Sequence, residues 1–416
     1  MPTWIARGGK RLNGRIKVQG AKNAVLPIMA ACILGGGTSR LLNCPQLSDI
    51  DASVEILRHL GCVVSCVGNE ITIDSKSVCN SHIPHELMLK MRSSVMYMGA
   101  ILARTGEVRL SRPGGCELGS RPIDLHLKAL KALGADIEEE GGEVICRGKN
   151  LKGAHIHLDF PSVGATENAM LAACAAEGET IISNAACEPE ILDLQSFLRR
   201  KGADISGGGT SIIKVSGFRP RENTVHQIMP DRIVASTYLC AAASCGGDVL
   251  LDDAIANHFY AVITSLRAMG CDIIYGNNHI RIKSSGILKA GRPIVTKPYP
   301  GFPTDAQALM MAACLKAEGT SVFVENIFEN RYRHVPEMRR LGAEIRTEGR
   351  VAMVSGVERL SGAPVTACDL RGGAGLVLAG LACEGETIVS DSGHIDRGYT
   401  QFDSALSQLG ADLKKI

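Results

Sequence analysis

The sequence predicts an α/β protein of six βαβαββ repeats, three to a domain. Three observations predict it. A short signature of Gly, then Ala or Cys, then an aliphatic two places on recurs at Gly61 (GCVV), Gly134 (GADI), Gly202 (GADI), Gly270 (GCDI), Gly342 (GAEI) and Gly410 (GADL), 68 to 73 residues apart. Ala-rich apolar runs precede the signatures, among them AVLPIMAACIL, ENAMLAACAA, DAQALMMAACLKA and GLVLAGLACEG. Glycine is frequent at 46 residues while aromatics are only 4%, which points to many turns and to cores of Ala, Val, Ile and Leu.

Each repeat has the same order of elements. It opens on a β-like run such as RIKVQG or IHLDF. The Ala-rich helix follows, apolar all round and therefore predicted to lie inside its domain. Next come Gly-plus-Thr/Val segments, GETIISN, GTSVFVEN and GETIVSD, which read as strands. A second helix has apolar residues at i, i+3, i+4 and i+7, as in DLHLKALKALG and HVPEMRRLG, and stops at the signature glycine. Alternating strands such as EVICRG and HIRIKS close the unit. The sixth repeat stops at ADLKKI without a last strand, and TWIARGG at the N-terminus resembles the missing one. The expected domains are therefore 21–229 and 230–416 plus 1–20, with a ligand cleft between them.

Composition narrows the function. Lys+Arg 45 against Asp+Glu 43 gives a net charge of +2, so no global basic field points to nucleic acid. The 15 cysteines are odd in number, scattered and not in CxxC pairs, which fits small buried thiols in a reducing cytoplasm better than a disulfide framework. MPTWIARGGKRLNG lacks the apolar region of a signal peptide. The uncharged stretch from Asn23 to Ser39 is interrupted by Pro27 and Gly35–Gly37 and is too short to span a membrane. A cytoplasmic protein is expected.

HExxH, Walker A, GxSxG and dinucleotide fingerprints are absent in usable form, so neither a metal nor a nucleotide cofactor is expected. Polar residues instead stand just before the apolar helices, where a helix N-terminus meets an anion. They are Lys22 and Asn23, Arg92, Ser162 with Val163 and Gly164, Asp231 and Arg232, Asp305, and Asp369 with Arg371. Any one alone reads equally as an N-cap or a solvated charge. Six at equivalent places in six repeats suggest ligand groups around a shared site. The segment Ser111–His126, SRPGGCELGSRPIDLH, inserts a Gly/Pro-rich loop with Cys116 between strand and helix. A cysteine is more often inert than reactive, but Arg112 and Arg121 would lower this thiol's pKa.

GAKNAVLPIMAA, RPGGCELGSRPIDLH, FPSVGATENAMLAA, YPGFPTD and HIDRGY together resemble the UDP-N-acetylglucosamine 1-carboxyvinyltransferases of the enolpyruvyl transferase family, along the whole chain. The resemblance implies a two-domain inside-out α/β barrel. It implies transfer of the enolpyruvyl group of phosphoenolpyruvate to the 3′-hydroxyl of UDP-GlcNAc, with loss of phosphate and commitment to peptidoglycan. Phosphoenolpyruvate and UDP-GlcNAc are then the partners, and no protein partner or cofactor is called for. Lys22, Arg121 and Arg397 match the family's phosphate-side cations, with Asn23 beside them, and Arg331 and Arg371 match the carboxylate side. Cys116 matches the proton donor, the position alkylated by fosfomycin-type epoxides, and Asp305 matches the proposed base. Arg92, together with Asn23 and Asp305, is implied at the nucleotide-sugar site. Arg121, Pro122, Ile123, Asp124 and Leu125 are implied at uracil and ribose, Ser162, Val163 and Gly164 near the diphosphate, and Ile327 as the last contact. The chain departs from the common pattern after PDRI, reading Val234, Ala235, Ser236 and Thr237 in place of Glu-Ala-Gly-Thr.

Overall fold

A computed structural model describes residues 2–111 and 123–416. These residues form two compact units. One runs from Gly20 to Met229; the other joins the N-terminal residues through Gln19 to Pro230–Ile416.

Among the described residues, six four-stranded sheets repeat one pattern: a parallel pair, then two antiparallel neighbours. In the Gly20–Met229 unit the second sheet orders His82–Ile83, Glu107–Ser111, Glu143–Arg147 and Asp136–Glu140. In the other unit the equivalent sheet orders Ile294–Val295, Thr320–Val324, Val351–Ser355 and Glu344–Glu348. Strands such as Val351–Ser355 and His279–Ser284 alternate buried and exposed residues, so one face of their sheets covers a core and the other meets water.

The cores are helical. Lys22–Ala31, Tyr97–Thr105 and Val163–Ala173 lie at the heart of one unit, and Arg232–Cys245, Gln307–Cys314 and Leu370–Ala382 at the heart of the other. Ala165 to Ala173 are buried without a break, and so are all eight residues of Gln307–Cys314. Each unit is thus a barrel turned inside out, with helices within and sheets without. Close helix approach needs glycine: a Cβ on Gly99 would sit 2.3 Å from the Asn168 carbonyl oxygen, and one on Gly375 2.9 Å from that of Ala308. The six signature glycines share φ from +91° to +114°, the left-handed residue that ends a helix.

Two strands depart from the order read in the sequence. The run RIKVQG precedes helix Lys22–Ala31 in the chain, yet its strand, Leu12–Lys17, pairs in parallel with Gly247–Asp252. Asn223–Gln227 precedes helix Arg232–Cys245 but pairs in parallel with Thr38–Leu42. The leading strands of the first and fourth repeats are thus exchanged. IHLDF forms a strand only over His155–His157. At the chain ends, Thr3–Arg7 lies antiparallel between Glu386–Ser390 and Asp412–Lys415, the place left empty by the shortened sixth repeat.

Candidate active site

In the Pro230–Ile416 unit the polar residues at the helix starts gather around Asp305. Pro303 leads into a single 3₁₀ turn, Thr304–Ala306, which puts Asp305 just ahead of the buried helix Gln307–Cys314. Arg331 Nη2 lies 3.0 Å from Asp305 Oδ1, and Arg371 Nη2 lies 3.7 Å from Oδ2. Both guanidinium side chains are 3% exposed while the carboxylate is 30% exposed. Arg331 also donates to the Thr304 carbonyl through Nε at 3.3 Å and Nη2 at 3.1 Å, so it braces the turn that carries Asp305. Burial works against the Arg371 charge, but Tyr399, Asp305 and Asp231 outweigh it and hold its pKa above the ordinary value.

Three neighbours complete this cluster. Asp369 caps helix Leu370–Ala382, its Oδ1 accepting from the N–H groups of Arg371 and Gly372 at 2.9 Å each. His334 is 1% exposed, and burial pushes its pKa down to about 4, so the ring is neutral beside Arg331 and Asp369. Glu325, 1% exposed, accepts from Thr304 Oγ1 at 3.0 Å and from the Ile327 N–H at 2.9 Å. That one buried carboxylate ties the Asp305 turn to the Ile327 loop. Arg397 closes a short 3₁₀ turn, Ile395–Arg397, and is partly buried.

In the Gly20–Met229 unit Lys22 begins helix Lys22–Ala31, and Asn23 follows it, half-buried. Lys22 Nζ pairs with Asp49 Oδ2 at 2.6 Å, with side chains only 10% and 2% exposed. Asp49 stands in the first turn of helix Ser48–His59, where the positive helix end favours its charge. Ser162 caps helix Val163–Ala173 by accepting from the Ala165 N–H at 3.4 Å. Gly164 lies against His126; a Cβ there would be 3.0 Å from His126 Cε1. Asn168 sets the His126 tautomer. Its Oδ1 accepts from the Gly99 N–H at 2.6 Å, so its Nδ2 donates to His126 Nδ1 at 2.7 Å and the ring proton sits on Nε2. Burial pushes the His126 pKa down to about 4. Glu167, buried near Glu190 and Glu188, has its carboxyl raised well above the usual range, chiefly by burial. Ile123 is buried, Asp124 starts helix Asp124–Ala132 exposed to solvent, and Leu125 is half-buried.

Cys116, Arg121 and Pro122 lie outside the described residues, as does Arg112. Arg92 opens the 3₁₀ turn Arg92–Met96. Sequence reading found the helix-start residues but missed Asp49, Glu325 and His334. Asp49 and His334 did carry one signal, a charged or polar residue on the buried face of a helical or turn segment; Glu325 follows a strand and carried none. Among the described residues, no group of three or more His, Cys, Asp or Glu side chains is gathered to hold a metal ion.

The family model described as EPSP synthase (3-phosphoshikimate 1-carboxyvinyltransferase) matches residues 6–406. UDP-N-acetylglucosamine 1-carboxyvinyltransferase 2 of Caldanaerobacter subterraneus is 51% identical over 409 residues, covering 98% of both chains. The protein of the same name from Carboxydothermus hydrogenoformans is 47% identical over 418 residues, covering all of both chains. Among solved structures, the enolpyruvyl transferase NikO from Streptomyces tendae superposes with a TM-score of 0.88 at 24% identity, covering 100% of this chain and 98% of that one. EPSP synthase from Acinetobacter baumannii gives 0.78 at 21% identity, covering 100% and 99%. These structural likenesses concern the fold.

Proposed function

We propose, from the premise that this chain belongs to the EPSP synthase family and within it to the UDP-N-acetylglucosamine 1-carboxyvinyltransferases, that it transfers the enolpyruvyl group of phosphoenolpyruvate to the 3′-hydroxyl of UDP-GlcNAc. The reaction is an addition followed by an elimination, and it is the first committed step of peptidoglycan synthesis. One observation carries the reading: a half-open carboxylate, Asp305, flanked on its two oxygens by the buried guanidinium groups of Arg331 and Arg371. A carboxylate aimed at a hydroxyl and cations aimed at an anion are what the chemistry demands.

Cys116 gives its proton to C3 of phosphoenolpyruvate, and C2 becomes electrophilic. The 3′-oxygen of UDP-GlcNAc bonds to C2 as Asp305 takes its proton. C3 then returns a proton to the Cys116 thiolate, the C2=C3 double bond re-forms as the C2–O bond to phosphate breaks, and inorganic phosphate leaves with the proton that Asp305 took. Arg331 and Arg371 hold the carboxylate of phosphoenolpyruvate, and Lys22, Asn23, Arg121 and Arg397 take the phosphate side. In the free protein Asp49 holds Lys22 in place. Asn23, Arg92, Arg121, Pro122, Ile123, Asp124, Leu125, Ser162, Val163, Gly164, Asp305 and Ile327 serve the nucleotide sugar. On this reading the work takes place in the cytoplasm. Among the described residues, no helix is long and apolar enough to cross a membrane.

Phosphate release from phosphoenolpyruvate tests the reading. Release should require UDP-GlcNAc, should not occur with shikimate 3-phosphate, and should be lost in Cys116→Ser, whose hydroxyl is too weak an acid. Release with shikimate 3-phosphate instead would replace the acceptor and overturn the reading.

A further inference from the structure

We propose that Tyr399 is a positioning residue for Arg371, locked in place by Thr237, and that this pair sets the affinity for the phosphoenolpyruvate carboxylate. The inference rests on the functional reading above for the role of Arg371 and goes beyond it in assigning Tyr399 and Thr237.

The geometry is that of a directed chain. Thr237 Oγ1 donates to the Ile233 carbonyl at 2.8 Å within helix Arg232–Cys245. A threonine hydroxyl has one proton, and this bond uses it. The second contact of Thr237 Oγ1, 2.9 Å from the Tyr399 hydroxyl, must therefore have Tyr399 as donor. The phenol is fixed in rotation, and its lone pairs and ring face are left toward Arg371. The Arg371 guanidinium carbon lies 5.4 Å from the centre of the Tyr399 ring. All three side chains are buried: Thr237 0%, Tyr399 2% and Arg371 3% exposed. In such a site a cation held over an aromatic face gains more than it would in water.

The phenol is itself held from other directions. Its ring packs on Phe402, with centroids 4.5 Å apart. Gln19 clamps the backbone on both sides of it, donating through Nε2 to the Gly398 carbonyl at 3.2 Å and accepting through Oε1 from the Thr400 N–H at 2.8 Å. The Gln19 carbonyl accepts from the Asp231 N–H at 2.9 Å, which joins the clamp to the helix that carries Thr237. Arg371 gains from this rigidity. Its Nε and Nη1 are buried and make no hydrogen bond among the described residues, and the Tyr399 side chain supports its charge. A guanidinium whose plane is set beforehand loses less freedom when it binds a carboxylate.

The experiment is steady-state kinetics on the full chain, with phosphate release as readout and each substrate varied in turn. Tyr399→Phe keeps the ring and removes the hydroxyl; Thr237→Val keeps the shape and removes the acceptor. Each should raise KM for phosphoenolpyruvate about three- to tenfold, the worth of one buried hydrogen bond. KM for UDP-GlcNAc should stay within about twofold. The double variant should be no worse than the weaker-binding single, because both remove one link. Thr237→Ser, which keeps the hydroxyl, should bind phosphoenolpyruvate as the parent does. Unchanged KM in both singles, equal rises in both KM values, or additive losses in the double variant would overturn the positioning role while leaving the functional reading intact. A parent protein that releases no phosphate would overturn the functional reading and this role with it.

Discussion

At the scale of single residues, Asp305 is held on both carboxylate oxygens and through its turn. Its turn is braced from below by Arg331 on the Thr304 carbonyl and from the side by Glu325 on the Thr304 hydroxyl. Asn at 305 keeps the shape and one acceptor but cannot take a proton. Asp305→Asn should therefore bind UDP-GlcNAc nearly as the parent does while turnover falls by about 10²–10⁴-fold. Calorimetric titration and phosphate release check the two halves, and near-normal turnover would remove Asp305 as the base. His126 gives a second prediction, on pH. Its pKa falls from 6.5 to about 4 on burial, so below pH 6.5 the unfolded chain takes up a proton that the folded one refuses. Its contribution to stability is full above pH 6.5 and is lost as pH falls toward about 4. The loss of stability between pH 7 and pH 5 should be smaller in His126→Gln than in the parent, read from urea midpoints at each pH. An equal loss would mean that the ring titrates normally.

At the scale of elements, the helices decide the fold. The Ala-rich runs announce themselves because residues buried on every side leave no polar face. The signature glycines announce the helix ends because only glycine adopts their positive φ cheaply. The exchanged strands Leu12–Lys17 and Asn223–Gln227 are not legible in this way. A parallel strand with one buried face reads the same whichever sheet receives it, and local pattern carries no address. The helix-start residues of the site stood out because each interrupts an apolar run. Glu325 did not, since a lone acid at a strand end is ordinary, and the signal at Asp49, a charge on the buried face of a helix, named no partner; only the tertiary structure shows Glu325 binding Thr304 and Asp49 binding Lys22. The central helices also carry a prediction. A methyl on Gly99 would meet the Asn168 backbone carbonyl at 2.3 Å, and the helices would have to part. Asn168 bonds both Gly99 and His126, so the strain would spread toward Gly164. Gly99→Ala should cost about 1–3 kcal/mol in urea unfolding, an overpacking penalty, despite alanine's better helix propensity. A stabilised variant would show that the contact is looser than it stands.

At the scale of the whole molecule, the two ends of the chain are built into one sheet. Thr3–Arg7 pairs with both Glu386–Ser390 and Asp412–Lys415, and the expectation that the N-terminal strand completes the sixth repeat agrees with that pairing. Trp4, the single tryptophan, is wholly buried there, edge-on to Phe402 at 5.9 Å, with Nε1 donating to Asp391 Oδ2 at 3.3 Å. Its fluorescence should report the unfolding of the unit that holds Pro230–Ile416. In urea the emission should shift to the red together with loss of hydrogen-exchange protection in Glu386–Ser390. A red-shifted emission before denaturant is added would contradict the buried strand. The family to which the chain belongs makes an enolpyruvyl ether, and the Asp305 cluster stands at the centre of that chemistry. The most direct test is the product itself, isolated after incubation with phosphoenolpyruvate and UDP-GlcNAc and identified by mass and proton magnetic resonance. The expected product is a nucleotide sugar carrying an enolpyruvyl group on the 3′-oxygen, with its vinyl protons, alongside an equal amount of inorganic phosphate. Unmodified UDP-GlcNAc after phosphate has been released, or a group on a different hydroxyl, would contradict it.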